Sequence, residues 1–132
     1  KVVLIDDSIV RGTTSVKIVE LMRQAGAREV HMKIASPPIK YPDFYGIDTP
    51  EKAQLLASLK SEKEMATYIG ADSLSFLSVD GLYRAMGHEK GRDDSNPAFT
   101  DHCFTGDYPT PLEDNNIAWL FETSQLSVRN EN

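Results

Sequence analysis

The first fifteen residues constrain the fold of this chain more than any other stretch. Residues 2–5 (VVLI) are a short, uninterrupted apolar run rich in β-branched side chains, which predicts a central parallel strand buried on both faces. A polar loop follows, and residues 14–25 then predict a helix that ends at Gly26. The apolar residues of that helix share one side: Val16, Val19, Met22 and Ala25. A strand, a loop and a helix in this order begin a βαβ unit.

The rest of the sequence continues the alternation of strands and helices. Further strands are predicted at 29–35 and 73–77, and the right-handed crossover rule makes the second strand parallel to the first. Helices are predicted at 50–59, which Pro50 opens, at 61–69 with a Ser61–Glu64 capping box, at 80–86 and at 117–126, whereas 41–49 and most of 87–111 are irregular. This alternation predicts an α/β fold, a parallel sheet with flanking helices. Three strands make a thin sheet, and the chain starts at Lys1 without an initiator Met, so we expect a piece that is incomplete at its N-terminus.

Composition narrows the functional class. A length of 132 residues with 40% hydrophobic content suits one domain with its own core. The net charge of −6 argues against a nucleic-acid partner, because a phosphate-binding surface needs clustered Lys and Arg. Cys103 is the only cysteine, and no apolar run approaches the roughly 20 residues that span a bilayer. We therefore expect a cytoplasmic protein that does not bind membranes.

The loop after the first strand contains the strongest candidate site. In open α/β sheets, ligands bind at the carboxyl ends of strands, where Asp6 and Asp7 fall. Two adjacent carboxylates can hold Mg²⁺ or accept hydrogen bonds from neighbouring hydroxyls. Residues 12–15 (GTTS) then lead into a helix, whose N-terminal amides favour an anion. Carboxylates for sugar or metal and amides for phosphate together predict a site for a phosphorylated sugar.

Each half of this loop also has a simpler explanation. Asp-Asp-Ser could form an Asx turn and a helix cap, and Gly-Thr-Thr-Ser could be an ordinary helix entry. Their joint position at the end of a strand favours a site. The loop lacks both the phosphate-binding pattern of Walker A and the glycines of the dinucleotide fingerprint, which disfavours ATP and NAD.

The stretch LIDDSIVRGTTS resembles the phosphoribosyl pyrophosphate (PRPP) loop of the type I phosphoribosyltransferases. It is most similar to that of the glutamine phosphoribosylpyrophosphate amidotransferases, and the likeness continues through SPPIKYPDFYGIDTP, GADSLSFLSVDGL and CFTGDYPT to about Leu112. The resemblance implies a type I phosphoribosyltransferase-like fold. It also implies that 1–112 are the C-terminal part of the phosphoribosyltransferase domain and 113–132 a C-terminal helix and tail.

The same resemblance implies a function. Enzymes of this family displace pyrophosphate from PRPP with ammonia that a glutaminase domain of the same chain releases from glutamine, the first step of de novo purine synthesis. Asp6 and Asp7 would contact the ribose hydroxyls and help to hold Mg²⁺. The residues implied to bind PRPP are Asp6, Asp7, Ser8, Arg11, Gly12, Thr13, Thr14 and Ser15. No catalytic proton-transfer residue is implied. A homo-oligomer and inhibition by purine nucleotides are further family expectations.

The sequence departs from one family pattern. Some members carry a four-iron, four-sulfur cluster held by four cysteines. At the positions of cluster cysteines this chain has Asp43, Pro97 and Thr100, so no cluster is expected. Cys103 is then a packed or idle thiol.

The remaining histidines and the thiol have little specificity as motifs. The triplet Asp101-His102-Cys103 could suggest a thiol nucleophile, but adjacent side chains project apart. His31 in a predicted strand and His88 in a polar loop are expected to be structural or solvated rather than metal ligands.

Two other functions stay open at this point. One is a regulatory module that binds PRPP without consuming it, since some relatives of this fold are transcriptional regulators. The other is an interaction or scaffold domain whose exposed sheet edge pairs with another chain.

Overall fold

The computed structural model describes residues 1–112. The strands are β1 (Val2–Asp6), β2 (Val30–Ile34) and β3 (Ser73–Phe76). The helices are α1 (Thr13–Gln24), α2 (Leu56–Leu59), α3 (Glu62–Ile69), α4 (Val79–Ala85) and α5 (His102–Thr105), with a 3₁₀ helix at Lys52–Gln54. The helix predicted at 117–126 and the tail 113–132 lie outside the described residues.

The three strands form one parallel sheet in the order β1-β2-β3. In β1 and β2, Val2 is opposite Val30 and Asp6 is opposite Ile34, while Ile34 is in turn opposite Phe76 of β3. The predicted parallel sheet with flanking helices is confirmed. The central strand is β2, whose Val30 and Met32 are fully buried.

The prediction that the first strand is central and buried on both faces is wrong. Val3 is 63% exposed and Ile5 is 73% exposed, and β1 lies at the edge of the described sheet. Within residues 1–112 the helices that form the core, α1 and α3, cover only the opposite face. An unbroken apolar run therefore shows that a strand forms, but not which of its faces is covered.

The core lies between the sheet and helices α1 and α3. It is built by Ile9, Val19, Val30, Met32, Ile34, Leu56, Ala57, Met65, Ile69 and Leu74. On α1 the predicted apolar side is confirmed for Val19, which is buried, and for Val16 and Met22, which pack partly against the core. Ala25 is exposed because the helix ends at Gln24.

The single helix predicted at 50–59 is also wrong. The segment divides into the 3₁₀ helix and the four-residue helix α2, separated by Leu55 in an extended conformation (φ −80°, ψ 113°). That conformation buries the Leu55 side chain completely. The Ser58 hydroxyl also donates to the Leu55 carbonyl at 2.8 Å, a local bond that competes with regular helix.

The other local signals are borne out. The capping box is present, with the Glu64 amide donating to Ser61 Oγ and the Ser61 amide donating to Glu64 Oε2. The helix predicted at 80–86 lies one residue earlier, capped by Ser78. The stretch 87–111 is irregular apart from α5. None of the helices in the described part of the chain is long and apolar enough to cross a membrane.

Candidate functional site

A cleft lies where β1 ends and α1 begins. Its volume is ≈ 280 Å³, and it is lined by residues 6–15. The strand ends at Asp6 and the helix starts at Thr13, so the intervening loop crosses the carboxyl end of the sheet. All of the predicted binding residues therefore line one cleft.

The two carboxylates differ in exposure. Asp6 is partly buried at the end of the strand, whereas Asp7 is exposed. Asp6 Oδ1 accepts the Asp7 amide at 3.0 Å, and Asp7 Oδ1 accepts the Ser8 hydroxyl at 3.2 Å. Among the described residues, the second oxygen of each carboxylate accepts no hydrogen bond. Each side chain thus keeps one oxygen available for a hydroxyl or a cation.

The other end of the cleft is the first turn of α1. Gly12 occupies the N-cap with φ 78° and ψ −7°, and within the described residues no side chain caps this helix. Thr13 and Thr14 are exposed, whereas Ser15 is buried beneath the turn. The first-turn amides and the two threonine hydroxyls can therefore donate hydrogen bonds to an anion, which the helix dipole also favours.

Side chains from distant parts of the sequence support this loop from below. A Cβ atom at Gly12 would lie 2.6 Å from Leu56 Cδ2 and 3.2 Å from Tyr68 Cε1. The Leu56 amide donates to the Val10 carbonyl at 2.8 Å, which joins the loop to α2. Glycine at position 12 thus provides both the positive φ and the space for Leu56 and Tyr68.

Arg11, also in the loop, is held by a residue of the 3₁₀ helix. Its Nε and Nη2 atoms donate to Gln54 Oε1 at 3.1 and 2.9 Å. Sequence analysis identified neither Gln54 nor the supporting pair Leu56 and Tyr68. No local pattern could have found Gln54, since 43 residues separate it from Arg11.

A second polar cluster lies outside the cleft. His102 Nε2 and Asp43 Oδ1 are 2.6 Å apart, and both side chains are buried. Asp43 Oδ2 accepts the amides of Tyr45 and Ile47, each at 2.8 Å. Burial opposes ionisation of Asp43, but these two amides and His102 outweigh it and lower the pKa of the carboxyl below its ordinary value. Asp43 is therefore a buried carboxylate that joins the 41–49 loop to α5.

The Cys103 sulfur lies close to this pair, but the group is poorly suited to a metal. One ligand atom from each of Asp43, His102 and Cys103 falls within 4.8 Å of the others. Both Asp43 oxygens already accept hydrogen bonds. Burial, and then the charge of Asp43, raises the pKa of the Cys103 thiol above its ordinary value.

An arginine network lies next to α5. The Arg92 side chain donates to Asp94, Asp101 and Asp107, and Tyr83 donates to Asp101 Oδ2 at 2.8 Å. These carboxylates raise the pKa of Arg92. Only 9% of the Arg92 side chain is exposed, so the network stabilises the irregular 87–111 segment rather than offering a free cation.

The remaining histidines and the thiol are accounted for locally. His31 Nδ1 lies 2.8 Å from Ser73 Oγ, and His31 Nε2 lies 3.1 Å from a Glu29 carboxylate oxygen. His88 packs edge-on against the rings of Tyr83 and Phe99. Cys103 is half-buried.

Comparison with known proteins gives one consistent result. The chain is 65% identical over 117 residues to the amidophosphoribosyltransferase of Rhizobium etli, and 56% identical over 112 residues to that of Bacillus subtilis. These matches cover 88% and 85% of this chain, but 23% of each relative. Over most of its length the chain is therefore homologous to one segment of the amidophosphoribosyltransferases. No protein-family profile matches it.

The solved structures agree with the sequence relatives. The glutamine PRPP amidotransferase of B. subtilis, in a complex with ADP and GMP, superposes with a TM-score of 0.77 at 55% identity. The match covers 87% of this chain and 25% of that one. The resemblance and the fold class that it implied are confirmed. The chain spans about a quarter of the length of the relatives that it matches.

Proposed function

We propose that this chain, a homologue of one segment of the amidophosphoribosyltransferases, is the part of such an enzyme that binds PRPP. The complete enzyme would make 5-phosphoribosylamine from PRPP and ammonia derived from glutamine. The single observation that carries the proposal is the cleft at residues 6–15, which combines two carboxylates with an uncapped helix N-terminus. The homology over this segment supports the choice of ligand.

We assign the two ends of the cleft to different parts of PRPP. Asp6 and Asp7 would accept hydrogen bonds from the 2′ and 3′ hydroxyls of the ribose. The amides and hydroxyls of Thr13 and Thr14 would bind the 5′-phosphate, with the positive charge of Arg11 beside it. Ser8 would orient Asp7 through their hydrogen bond, and the buried Ser15 would stabilise the first helical turn.

The carboxylate pair also fits Mg²⁺. Magnesium prefers oxygen ligands and is commonly held by one or two carboxylates together with phosphate oxygens of a substrate. Asp6 and Asp7 each present one oxygen without a hydrogen-bond partner in the described part of the chain. When bound there, the cation would supply charge neutralisation for the departing pyrophosphate.

The chemistry assigned to the chain is positioning. In the proposed reaction ammonia attacks C1 of the ribose, a carbon–nitrogen bond forms, and the bond to pyrophosphate oxygen breaks. The carboxylates would fix the ribose and the loop would fix the phosphate, so that C1 faces the nucleophile. Pyrophosphate would leave without a proton from the protein, so we assign no general acid. The ammonium group that first forms on C1 would lose its extra proton to solvent, and we therefore assign no general base either.

The surroundings of the segment are proposed from its relatives. Residues 1–112 would form the C-terminal part of the phosphoribosyltransferase domain, and 113–132 a helix and tail. A glutaminase domain of the complete chain would supply ammonia, and the complete enzyme would be a cytoplasmic homo-oligomer. Because the B. subtilis relative binds ADP and GMP, purine nucleotides are the candidate inhibitors.

Calorimetric titration of the complete polypeptide that carries these residues, with PRPP in the presence and absence of Mg²⁺, tests this proposal. We expect Asp7→Asn to weaken binding by roughly 10- to 100-fold, since a hydrogen bond to a charged group contributes about 1.5–3 kcal/mol. Asp48→Asn is the matched control, because Asp48 is exposed and does not line the cleft.

Equal affinity in the wild type and Asp7→Asn would contradict the site assignment. A complete polypeptide that binds PRPP through Asp7 but forms no phosphoribosylamine with ammonia would instead favour the regulatory module.

A further inference from the structure

The contact between Arg11 and Gln54 gives the cleft a feature that its own loop does not encode. Arg11 lines the cleft, yet two of its three guanidinium nitrogens donate to one amide oxygen of Gln54. Within residues 1–112, Nη1 has no hydrogen-bond partner. The side chain is thus held along one edge while the other edge stays available.

Gln54 is itself fixed relative to the loop. The backbone amide of Gln54 donates to the Glu51 carbonyl at 2.8 Å, which closes the 3₁₀ turn. Two residues later, the Leu56 amide donates to the Val10 carbonyl, next to Arg11. Leu55 and Leu56 are buried, so the turn cannot slide without disturbing the core. The fold therefore holds the backbone of Gln54 close to the loop, where its side chain reaches the Arg11 guanidinium.

The chemistry of an amide matters at this position. An amide oxygen accepts the same two hydrogen bonds that a carboxylate would accept, but it carries no charge. A glutamate here would form an ion pair with Arg11 and compete with an anionic ligand for it. With glutamine, Arg11 is oriented and keeps its full positive charge for the cleft.

We propose that Gln54 is a positioning residue for the phosphate-binding end of the cleft, where it orients Arg11 without neutralising it. This inference rests on the proposed function, because it takes the ligand to be a phosphorylated sugar. It adds that the affinity for phosphate depends on a neutral acceptor at position 54. Gln54 does not itself contact the ligand.

The test compares two near-isosteric variants in the complete polypeptide that carries these residues. Gln54→Glu keeps the acceptor and adds a charge, whereas Gln54→Leu removes the acceptor. Both are measured with PRPP and with ribose 5-phosphate, at low and at physiological ionic strength. Gln54 is exposed, so we expect both variants to fold, which thermal unfolding checks.

For Gln54→Glu we expect the dissociation constant of ribose 5-phosphate to rise roughly three- to fivefold at low salt, the range of an exposed charge pair. This increase in the dissociation constant should be smaller at high salt, because screening weakens the competition between the glutamate and the phosphate for Arg11. In an Arg11→Gln background the same substitution should have a smaller effect. Gln54→Leu should weaken binding through lost orientation, with little change in the salt dependence.

Two failures are distinguishable. A wild type that binds neither PRPP nor ribose 5-phosphate overturns the inference together with the proposed function. A wild type that binds both ligands, with unchanged affinity and salt dependence in the two Gln54 variants, overturns the positioning role alone.

Discussion

Substitution of Gly12 by alanine tests how the loop that lines the cleft is supported. A Cβ at this position would lie 2.6 Å from Leu56 Cδ2 and 3.2 Å from Tyr68 Cε1, at a φ of +78°. The left-handed backbone costs an alanine about 1–2 kcal/mol, and overpacking of this kind costs about 1–3 kcal/mol. The expected loss in the free energy of unfolding is therefore roughly 2–5 kcal/mol, a large part of a typical domain's stability.

Gly26→Ala is the matched control for this substitution. Gly26 also has a positive φ, of +95°, but a Cβ there would meet no heavy atom within 4 Å. It shares the backbone strain and the reduced entropy of the unfolded chain with Gly12→Ala, so these contributions largely cancel in the comparison. The difference between the two variants isolates the contact with Leu56 and Tyr68.

Urea denaturation at neutral pH measures the free energy of unfolding of both variants and of the wild type. We expect Gly12→Ala to lose about 1–3 kcal/mol more than Gly26→Ala, if the slopes with denaturant stay equal. Equal losses would refute the argument that the loop rests tightly on Leu56 and Tyr68. A Gly12→Ala variant that is destabilised but binds PRPP normally would separate the support of the loop from its ligand geometry.

Three further substitutions test other parts of the structure. Asp43→Asn should cost about 1–3 kcal/mol in urea denaturation at pH 7, because it leaves the buried His102 poorly paired. Folding lowers the pKa of Asp43, so the stabilisation from its carboxylate is present above the unfolded pKa of about 3.9 and is lost as the pH falls through the folded pKa. The difference in the free energy of unfolding between the wild type and Asp43→Asn should therefore narrow in acid, and a difference that did not narrow would contradict this. Arg92→Lys should lower the thermal midpoint, since an ammonium cannot reproduce the planar donor fork, and an unchanged midpoint would show that the network adds no stability. Ser61→Ala should cost about 1 kcal/mol in thermal unfolding through loss of the helix cap, and an unchanged stability would show that the cap contributes nothing.

The sequence predicted those elements that local signals determine. The capping box at Ser61, the glycine that ends α3 and the parallel β1–β2 pair all depend on residues close together in the chain or on a general crossover rule. The split of 50–59 was not predictable in this way. Leu55 leaves the helical conformation to bury its side chain, and that gain exists only once the core is assembled.

The prediction that β1 is buried on both faces failed for a related reason. An apolar run that includes Val3 and Ile5 is typical of a strand buried on both faces. Within the described residues, however, helices pack on only one face of the sheet, and these two side chains lie on the other. Likewise, the Asp43–His102 pair joins positions 59 residues apart, and nothing in either residue's own stretch indicates the pairing. Composition reports what a strand or side chain tolerates, whereas the topology decides what it contacts.

The cleft depends both on local signals and on distant contacts. The residues that line it were predictable from the sequence, whereas the residues that support it were not. The residues that line it come from one continuous stretch, because the end of a parallel strand and the start of the next helix necessarily meet at the same edge of the sheet. The groups that hold this stretch in place, Gln54, Leu56 and Tyr68, come from the segment after β2 and approach only when the crossover is complete. Substitutions in the two sets should therefore differ in their effects. Changes to the exposed residues that face the cleft should alter binding with little loss of stability, whereas changes to Leu56 or Tyr68 should lower stability and binding together.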